Sequence, residues 1–343
     1  MNEIIQTRKL PTLIPCGEFK KIEFPEDQYL IQSLLPREGF AIIASPSGEK
    51  KTWIGLSMAD AIARGTDFVG HPEFKTQKGR VLYLDQEMPR ALLQGRMKLL
   101  DLSDDIVVPE KLDSLDFQKS EDINWLHMQI QSNAFKVVFI DTLRATAGGL
   151  KEDKAEDVRA YMDRFLKFKN MGVCIVFLDH CRKPHPFEGK TPKKEQLLGS
   201  QDKVACIESL LMLKSDVGSP EIKIYPQKNR SGIEYKPFSV VMESVLGDQV
   251  NENKINLKYG EPLEGNQENK SEEAKALILD FLADGSKTTR QTVEYLRTEK
   301  IGESNVRLAL RELERSSKIR AEKQGRENLY SLECADRDSS LDI

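Results

Sequence analysis

The chain has 343 residues, of which 31% are charged and 39% hydrophobic, and its net charge is −4. This composition fits a soluble protein large enough for two domains, and the low net charge excludes a protein that coats nucleic acid over its whole surface. The sequence contains no run of about 18 apolar residues, so no membrane span is expected. The five cysteines are scattered and the first residues lack the apolar core of a signal peptide, which predicts a reduced, cytoplasmic protein.

Residues 1–38 contain prolines and few periodic apolar positions, and we interpret them as an N-terminal arm. From residue 39 to about 245, short apolar runs alternate with helical patterns. The expected strands are residues 40–44, 81–85, 137–141, 173–179, 210–213 and 222–225. Strands that alternate with helices predict an α/β fold with a mostly parallel sheet covered on both faces.

The predicted domain boundaries follow from shifts in composition. Residues 39–247 form the α/β domain, and the polar, Gly- and Asn-rich residues 248–271 are interpreted as a linker. Residues 272–333 form a second, smaller domain, and residues 334–343 form an acidic tail.

The stretch "SPSGEKKT", residues 45–52, lies between an apolar run and a helical pattern. It matches the phosphate-loop pattern G-x-x-x-x-G-K-[ST] at its last two positions, so Lys51 would contact the outer phosphates of ATP and Thr52 would hold Mg²⁺. Lys50 replaces a glycine and must either adopt a strained backbone or direct its side chain away. The candidate nucleotide-binding residues are Ser47, Gly48, Glu49, Lys50, Lys51, Thr52 and Trp53. A basic helix start without a ligand is the alternative.

Two acidic residues stand at the ends of expected strands. The apolar run "FKVVFID" ends in Asp141, where a carboxylate would hold the water shell of Mg²⁺. "VLYLDQE" brings Glu87 to a strand end, where it would act as a general base on the attacking water. Each also has an ordinary explanation: many parallel strands end in aspartate, and a glutamate at this position often caps a helix.

Two further groups have candidate roles in catalysis. His180 follows the run "GVCIVFLD" and would sense the γ-phosphate. Lys228 and Arg230 lie at an expected hairpin turn, from which an arginine would reach the ATP of a neighbouring subunit and stabilise transition-state charge. The alternative is that Lys228 and Arg230 are solvated charges on a surface turn with no role in catalysis. His180, Cys181 and His185 lack a second Cys/His pair, so a tetrahedral metal site is not expected.

Together these stretches resemble the core of RecA-type ATPases. The resemblance is closest to the RepA-like hexameric helicases of plasmids and phages, within the broader AAA_25 group, and covers residues 40–245. It implies a RecA-like P-loop domain that binds ATP and Mg²⁺ and assembles into rings, with sites between subunits of a homo-oligomer, most simply a hexamer. The stretches that carry it are "ASPSGEKKT", "VLYLDQEMP", "VVFIDTL", "FLDHCRK" and "KNRSG".

The resemblance also gives meaning to the basic segment of residues 181–200. In RecA-type rings the matching loop lines a DNA channel, and basic residues with an aromatic side chain suit single-stranded DNA. The candidate contacts are Arg182, Lys183, Lys190, Lys193 and Lys194. A charged surface loop is the alternative.

The C-terminal residues 272–333 contain three helical patterns and then a short hairpin, the order of a winged helix-turn-helix domain. From residue 290 to 326 there are ten Lys/Arg and six Asp/Glu, a local basic excess. The third helix would enter the major groove of duplex DNA, with Ser304, Asn305, Arg307 and Arg311 as candidate contacts. The glutamates of this helix would repel phosphate, and such domains also bind proteins.

The expectation is therefore a DNA-associated ATPase, a helicase or translocase for the replication or maintenance of a mobile element. One alternative is a DNA-binding regulator that binds ATP without hydrolysing it, which Lys50 favours. Another is a RecA-like recombination mediator that forms filaments rather than closed rings.

Overall fold

The structure is a computed structural model that describes residues 12–23, 28–111, 114–152, 154–182, 191–197, 201–230, 235–245, 253–263, 268–299, 301–324 and 327–333. The chain divides into two compact units, Met1–Pro262 and Leu263–Ile343. Among the described residues, no helix is long and apolar enough to cross a membrane.

Strands and helices alternate through most of the first unit, as the apolar runs predict. Its strands are β1 (Tyr29–Ile31), β2 (Leu35–Pro36), β3 (Gly39–Ser45), β4 (Arg80–Asp85), β5 (Ile106–Val107), β6 (Phe135–Asp141), β7 (Cys174–His180), β8 (Ser209–Lys214), β9 (Glu221–Asn229), β10 (Phe238–Val245) and β11 (Lys254–Pro262). Its helices are α1 (Cys16–Phe19), α2 (Lys51–Arg64), α3 (Arg90–Leu99), α4 (Ser120–Asn133), α5 (Ala155–Asp163), α6 (Leu166–Lys169) and α7 (Gln201–Cys206).

A single large sheet organises this unit. Within the described residues its strand order is β11-β10-β9-β8-β3-β7-β6-β4-β5, with β8 to β5 parallel and β9 to β11 antiparallel. Because successive side chains of a strand face opposite ways, Ala41 and Ile43 of β3 enter the core under α2, while Phe40, Ile42 and Ala44 enter the core under α4 and α5. The predicted α/β fold with a mostly parallel sheet is confirmed.

The structure differs from two predicted boundaries. The stretch interpreted as a linker contains β11, which pairs antiparallel with β10. Its apolar residues Ile255, Leu257 and Tyr259 alternate with polar ones, a strand pattern that the polar flanks obscure. The end of the predicted N-terminal arm contains the β1–β2 hairpin, because Ile31 and Leu35 are fully buried in the core.

The second unit has helices α8 (Glu268–Ala283), α9 (Thr289–Thr298) and α10 (Glu303–Arg315), and short strands β12 (Lys287–Thr288), β13 (Ile319–Gln324) and β14 (Glu327–Leu332). In the described part of the unit, the strands form a sheet in the order β12-β14-β13. Thr288 caps α9 by accepting from Gln291 N–H, and the Gln291 side chain accepts from Thr288 N–H. Ile278, Leu296 and Leu310, one from each helix, meet in its core.

Candidate functional site

The loop of residues 45–52 connects the central strand β3 to α2 at the carboxyl edge of the parallel strands. Sheet register places Ser45 beside His180, and Asp85 beside Asp141. Ligands of open α/β sheets bind at this edge. The predicted loop residues therefore share this edge with Glu87, Asp141 and His180.

Lys51 is buried in the loop, with only 6% of its surface exposed. Its ammonium group lies 3.3 Å from Ser45 O, 3.4 Å from Ser45 Oγ and 3.2 Å from His180 Nδ1. Burial lowers the pKa of Lys51, while the carboxylates of Glu87 and Asp141 oppose that shift. In this conformation the amine is held at the base of the loop by groups that a phosphate would replace.

Thr52 links the first turn of α2 to the end of β6. Its Oγ1 donates to Asp141 Oδ2 at 2.8 Å, and the buried Tyr83 hydroxyl donates to the same oxygen at 3.1 Å. Asp141 Oδ1 is buried and without a hydrogen-bond partner among the described residues. Burial, reinforced by the nearby Asp85 carboxylate, raises the pKa of Asp141 to about 7. Sequence reasoning missed Tyr83, which stands inside an apolar run and gives no polar signal.

The same carboxylate is suited to magnesium. Mg²⁺ prefers oxygen ligands and keeps several waters, usually binding through one or two carboxylates and substrate phosphates. The hydroxyl of Thr52 and the unpartnered oxygen of Asp141 fit that role. The described residues contain no group of three or more His, Cys, Asp and Glu that could hold a metal ion alone, so the ion would bind together with phosphate oxygens.

Asp85 orders the turn that carries Glu87. Its Oδ1 accepts hydrogen bonds from the N–H groups of Glu87 and Met88, both at 2.9 Å, while its Oδ2 is buried without a partner among the described residues. Burial raises the pKa of Asp85, against these two hydrogen bonds. The sequence places this carboxylate beside Glu87, but only the structure assigns it to the backbone of the turn.

A chain of contacts joins Lys51, His180 and Glu87. His180 Nε2 lies 3.4 Å from Glu87 Oε1, and its Nδ1 faces Lys51. A protonated amine has no lone pair, so Nδ1 accepts and the ring proton sits on Nε2, which donates to Glu87. The hydrogen bond from His180 lowers the pKa of Glu87 and favours its ionised form. His180 is thus oriented by both the loop and the candidate base.

Lys50, which replaces the glycine of the phosphate-loop pattern, differs from a glycine in its backbone strain and in its side-chain contact. Lys50 adopts the left-handed conformation (φ 62°, ψ 22°) that a glycine would take without strain, at a cost of roughly 1–2 kcal/mol for a residue with a Cβ. Its ammonium donates to Ser219 O, so the side chain is directed toward the β8–β9 turn. Both outcomes considered from the sequence, a strained backbone and a diverted side chain, therefore occur.

The remaining loop positions are more open. Ser47 and Gly48 are exposed, and Gly48 also has a positive φ of 86°. Trp53 is half-buried, and the guanidinium carbon of Arg96 lies 5.1 Å from the centre of its ring, within reach of a cation–π contact. Arg96 comes from α3 and was not anticipated from the sequence.

A buried ion pair lies behind His180. Lys203 of α7 is 0% exposed, and its Nζ lies 2.7 Å from Asp179 Oδ2 and 2.9 Å from Glu152 Oε2. The other oxygen of Asp179 accepts from His180 N–H at 2.9 Å. Nothing in the polar sequence around Lys203 distinguishes it from a surface lysine, so sequence reasoning missed it.

Lys228 and Arg230 lie away from the loop. Asn229, which stands between them, pairs with Ser209 at the amino-terminal end of β8. Lys228 and Arg230 therefore lie at the opposite edge of the sheet, about 20 Å from Ser45 as judged from the rise of a strand. Lys228 Nζ donates to Val204 O. Arg230 lies 3.4 Å from Glu208 and donates to Ala205 O. Arg230 begins the turn between the antiparallel strands β9 and β10, and residues 231–234 of that turn lie outside the described residues. Neither Lys228 nor Arg230 can reach the loop of its own chain.

The basic loop that follows β7 begins and ends beside His180. Cys181 forms a β-bridge with Leu197, and Arg182 N–H donates to Gln196 O at 2.9 Å. Lys193 and Lys194 are exposed on the returning segment. The other two candidates, Lys183 and Lys190, lie outside the described residues.

In the second unit, the predicted contacts lie on α10. Ser304, Arg307 and Arg311 are exposed and Asn305 is half-buried, and Arg307 pairs with Glu303 at 2.8 Å. A cleft of about 740 Å³ lies between α9, α10 and β14. Its charged lining contains Arg290, Arg297, Arg307, Arg311, Glu294, Glu303, Glu314 and Glu327. The hairpin tip at Gly325 lies outside the described residues.

Comparisons with known proteins identify a matching family and structural neighbours. The family model AAA_25, described as an AAA domain, matches residues 7–186. Among solved structures, one described as an ATPase domain aligns with a TM-score of 0.48 and 13% identity, over 66% of this chain and 91% of that chain. No curated protein matches the chain.

Proposed function

Because this chain belongs to the AAA domain family AAA_25, we propose that it is an ATP-dependent motor that acts on DNA. The observation that carries the proposal is the convergence of Lys51, Thr52, Asp141, Glu87 and His180 at one edge of the sheet. This set supplies the positive charge, the magnesium ligands and the base that phosphoryl transfer to water requires.

Each residue has a chemical role in this proposal. Thr52 and Asp141 would hold Mg²⁺, which when bound would neutralise charge on the phosphate oxygens. Lys51 leaves His180 and pairs with the outer phosphates. Glu87, kept ionised by the hydrogen bond from His180, accepts a proton from the attacking water. His180 then senses the phosphate, because Lys51 cannot bond fully to His180 and to the phosphates at the same time.

We propose that the active form is a homo-oligomeric ring, most simply a hexamer. Arg230 lies at the sheet edge opposite to its own phosphate loop, so a role in catalysis requires the loop of another subunit. An arginine supplied in this way stabilises the charge that develops on the phosphates.

The proposed DNA contacts involve both units. The loop that carries Arg182, Lys193 and Lys194 starts directly after His180, so a strand bound there would be coupled to the nucleotide. The second unit has the helix and strand order of a winged helix, and α10 would contact duplex DNA through its arginines. Replication or maintenance of a mobile element is the proposed setting.

The first test is ATP hydrolysis by the purified protein, with and without single-stranded DNA, beside a Lys51→Ala variant. Turnover that rises with DNA and disappears in the variant supports the motor. Binding of nucleotide without turnover favours the second candidate, a DNA-binding regulator that does not hydrolyse ATP. The observation that favours this second candidate is the left-handed backbone of Lys50.

A further inference from the structure

The turn of residues 215–220, between β8 and β9, is bonded to the phosphate loop at two neighbouring positions. Lys50 Nζ donates to Ser219 O, and Ser215 N–H donates to Glu49 Oε2 at 3.1 Å. These are the two loop residues that stand immediately before Lys51. The departure from the usual glycine therefore coincides with a specific contact, made by residues 169 apart in the chain.

The turn is itself held in place by hydrogen bonds within it, from the start of β9 and from β10. Ser219 N–H donates to Asp216 O at 3.1 Å, and Met242 N–H of β10 donates to Pro220 O at 3.0 Å. The Ser219 hydroxyl accepts from Glu221 N–H at 3.1 Å. The acceptor that Lys50 uses is thus a fixed backbone carbonyl rather than a mobile surface group.

We propose that Glu49 and Lys50 are positioning residues that fasten the phosphate loop to the 215–220 turn. A glycine would only permit the left-handed backbone, whereas the bond from Lys50 to Ser219 O selects it. Glu49, the residue before Lys50, is fixed in the same way by the hydrogen bond that its carboxylate accepts from Ser215 N–H. The phosphate loop keeps its binding shape because the turn holds it, and Lys50 acts through geometry rather than as a phosphate ligand.

This proposal rests on the proposed function only for its effect on nucleotide binding. The proposal predicts that replacing Lys50 with glycine, the usual residue at this position, weakens nucleotide binding. Lys50→Gly removes the backbone strain and the bond to Ser219 together. If the bond is what orders the loop, the variant binds nucleotide more weakly than the wild-type protein.

The experiment compares full-length wild-type protein with Lys50→Gly, Lys50→Arg and the control Lys223→Met. Lys223 is a β9 lysine paired with Glu221 at 3.6 Å that does not contact the loop. Hydrogen exchange of the Ser215 amide is measured without nucleotide, and the affinity for Mg-ADP is measured by calorimetry. We expect faster exchange and about tenfold weaker binding in Lys50→Gly, the order of magnitude of a hydrogen bond from a charged donor. Lys50→Arg and Lys223→Met should stay close to wild type.

Unchanged exchange at Ser215 in Lys50→Gly, or Mg-ADP binding equal to or tighter than wild type, would overturn the proposal. Faster exchange in Lys223→Met would also count against it, because the effect would then follow charge rather than the specific bond. If the wild-type protein does not bind Mg-ADP, the proposed function fails, while the exchange measured without nucleotide still decides whether the turn is fastened to the loop.

Discussion

The Thr52 hydroxyl donates a hydrogen bond to Asp141 Oδ2 at 2.8 Å and so joins the start of α2 to the end of β6. The second oxygen of Asp141 is buried without a partner among the described residues. A carboxylate that is costly to bury and only half satisfied is best explained by a cation that completes it. This pair is the basis for the first two predictions.

Replacing Asp141 with asparagine should remove the gain in nucleotide affinity that Mg²⁺ provides. Even the loss of a residue that only orients a metal's ligands typically costs about 10- to 100-fold in metal affinity, and we expect at least an effect of that order. The measurement is Mg-ADP binding over a magnesium titration. Asp104→Asn, an exposed control, should leave the magnesium dependence intact; equal curves for both variants would exclude Asp141 from the metal site.

Without magnesium and nucleotide, Asp141 should make stability depend on pH. Its pKa is raised from 3.8 to about 7 in the folded protein, so the unfolded chain loses this proton first. The contribution to stability is full below pH 4 and is lost as the pH rises through 7, on the order of a few kcal/mol. Urea unfolding in EDTA should show this decline in the wild-type protein and a smaller one in Asp141→Asn. Parallel slopes for the two proteins would contradict the assignment.

Glu87→Gln should reduce turnover while sparing nucleotide binding. Glutamine can still accept the hydrogen bond from His180 Nε2, so the site keeps its geometry, but it cannot take a proton from water. Loss of a general base costs about 10²-fold or more in kcat. Phosphate release measures the loss, and the Kd for Mg-ADP should stay within about threefold of the wild-type value. Retained turnover would place the base elsewhere.

Arg230→Ala and Lys51→Ala should each be nearly inactive, yet their mixture should recover activity. In a mixed ring, the intact loop of an Arg230→Ala subunit can face the intact arginine of a Lys51→Ala subunit. The expectation follows from the location of Arg230 at the opposite sheet edge. Arg80→Ala, an exposed arginine at the amino end of β4, is the matched control and should remain active alone. A mixture as inactive as its parts would argue against a role in trans.

Lys203→Met should destabilise the protein by about 3–5 kcal/mol, because it leaves Asp179 and Glu152 without their buried partner. Chemical denaturation measures the change. Adding Asp179→Asn should recover part of the loss, since an uncharged amide needs no counter-charge. Lys154→Met, an exposed lysine just before α5, should change stability by less than about 0.5 kcal/mol. A similarly small effect at Lys203 would mean that the pair is not formed in solution.

Local sequence patterns predict the alternation of strands and helices, the location of the phosphate loop and the polar residues at the strand ends. These features are local: an apolar run of strand length, a turn before an amphipathic helix and an acid after a buried strand can be recognised within about fifteen residues. The expected sheet and the grouping of Lys51, Glu87, Asp141 and His180 depend on little more than the rule that parallel strands end at one edge.

Which distant groups meet depends on long-range packing and strand pairing. The polar flanks concealed β11, whose place depends on pairing with β10. Lys203 resembles any surface lysine until α7 packs against α5 and the lysine pairs with Asp179 of β7, away from water. The edge at which Arg230 lies depends on the antiparallel turn from β8 to β9, and the direction of Lys50 depends on Ser219. Such contacts are chosen by the sheet order and by burial, and neither can be read from the residues near them in the chain.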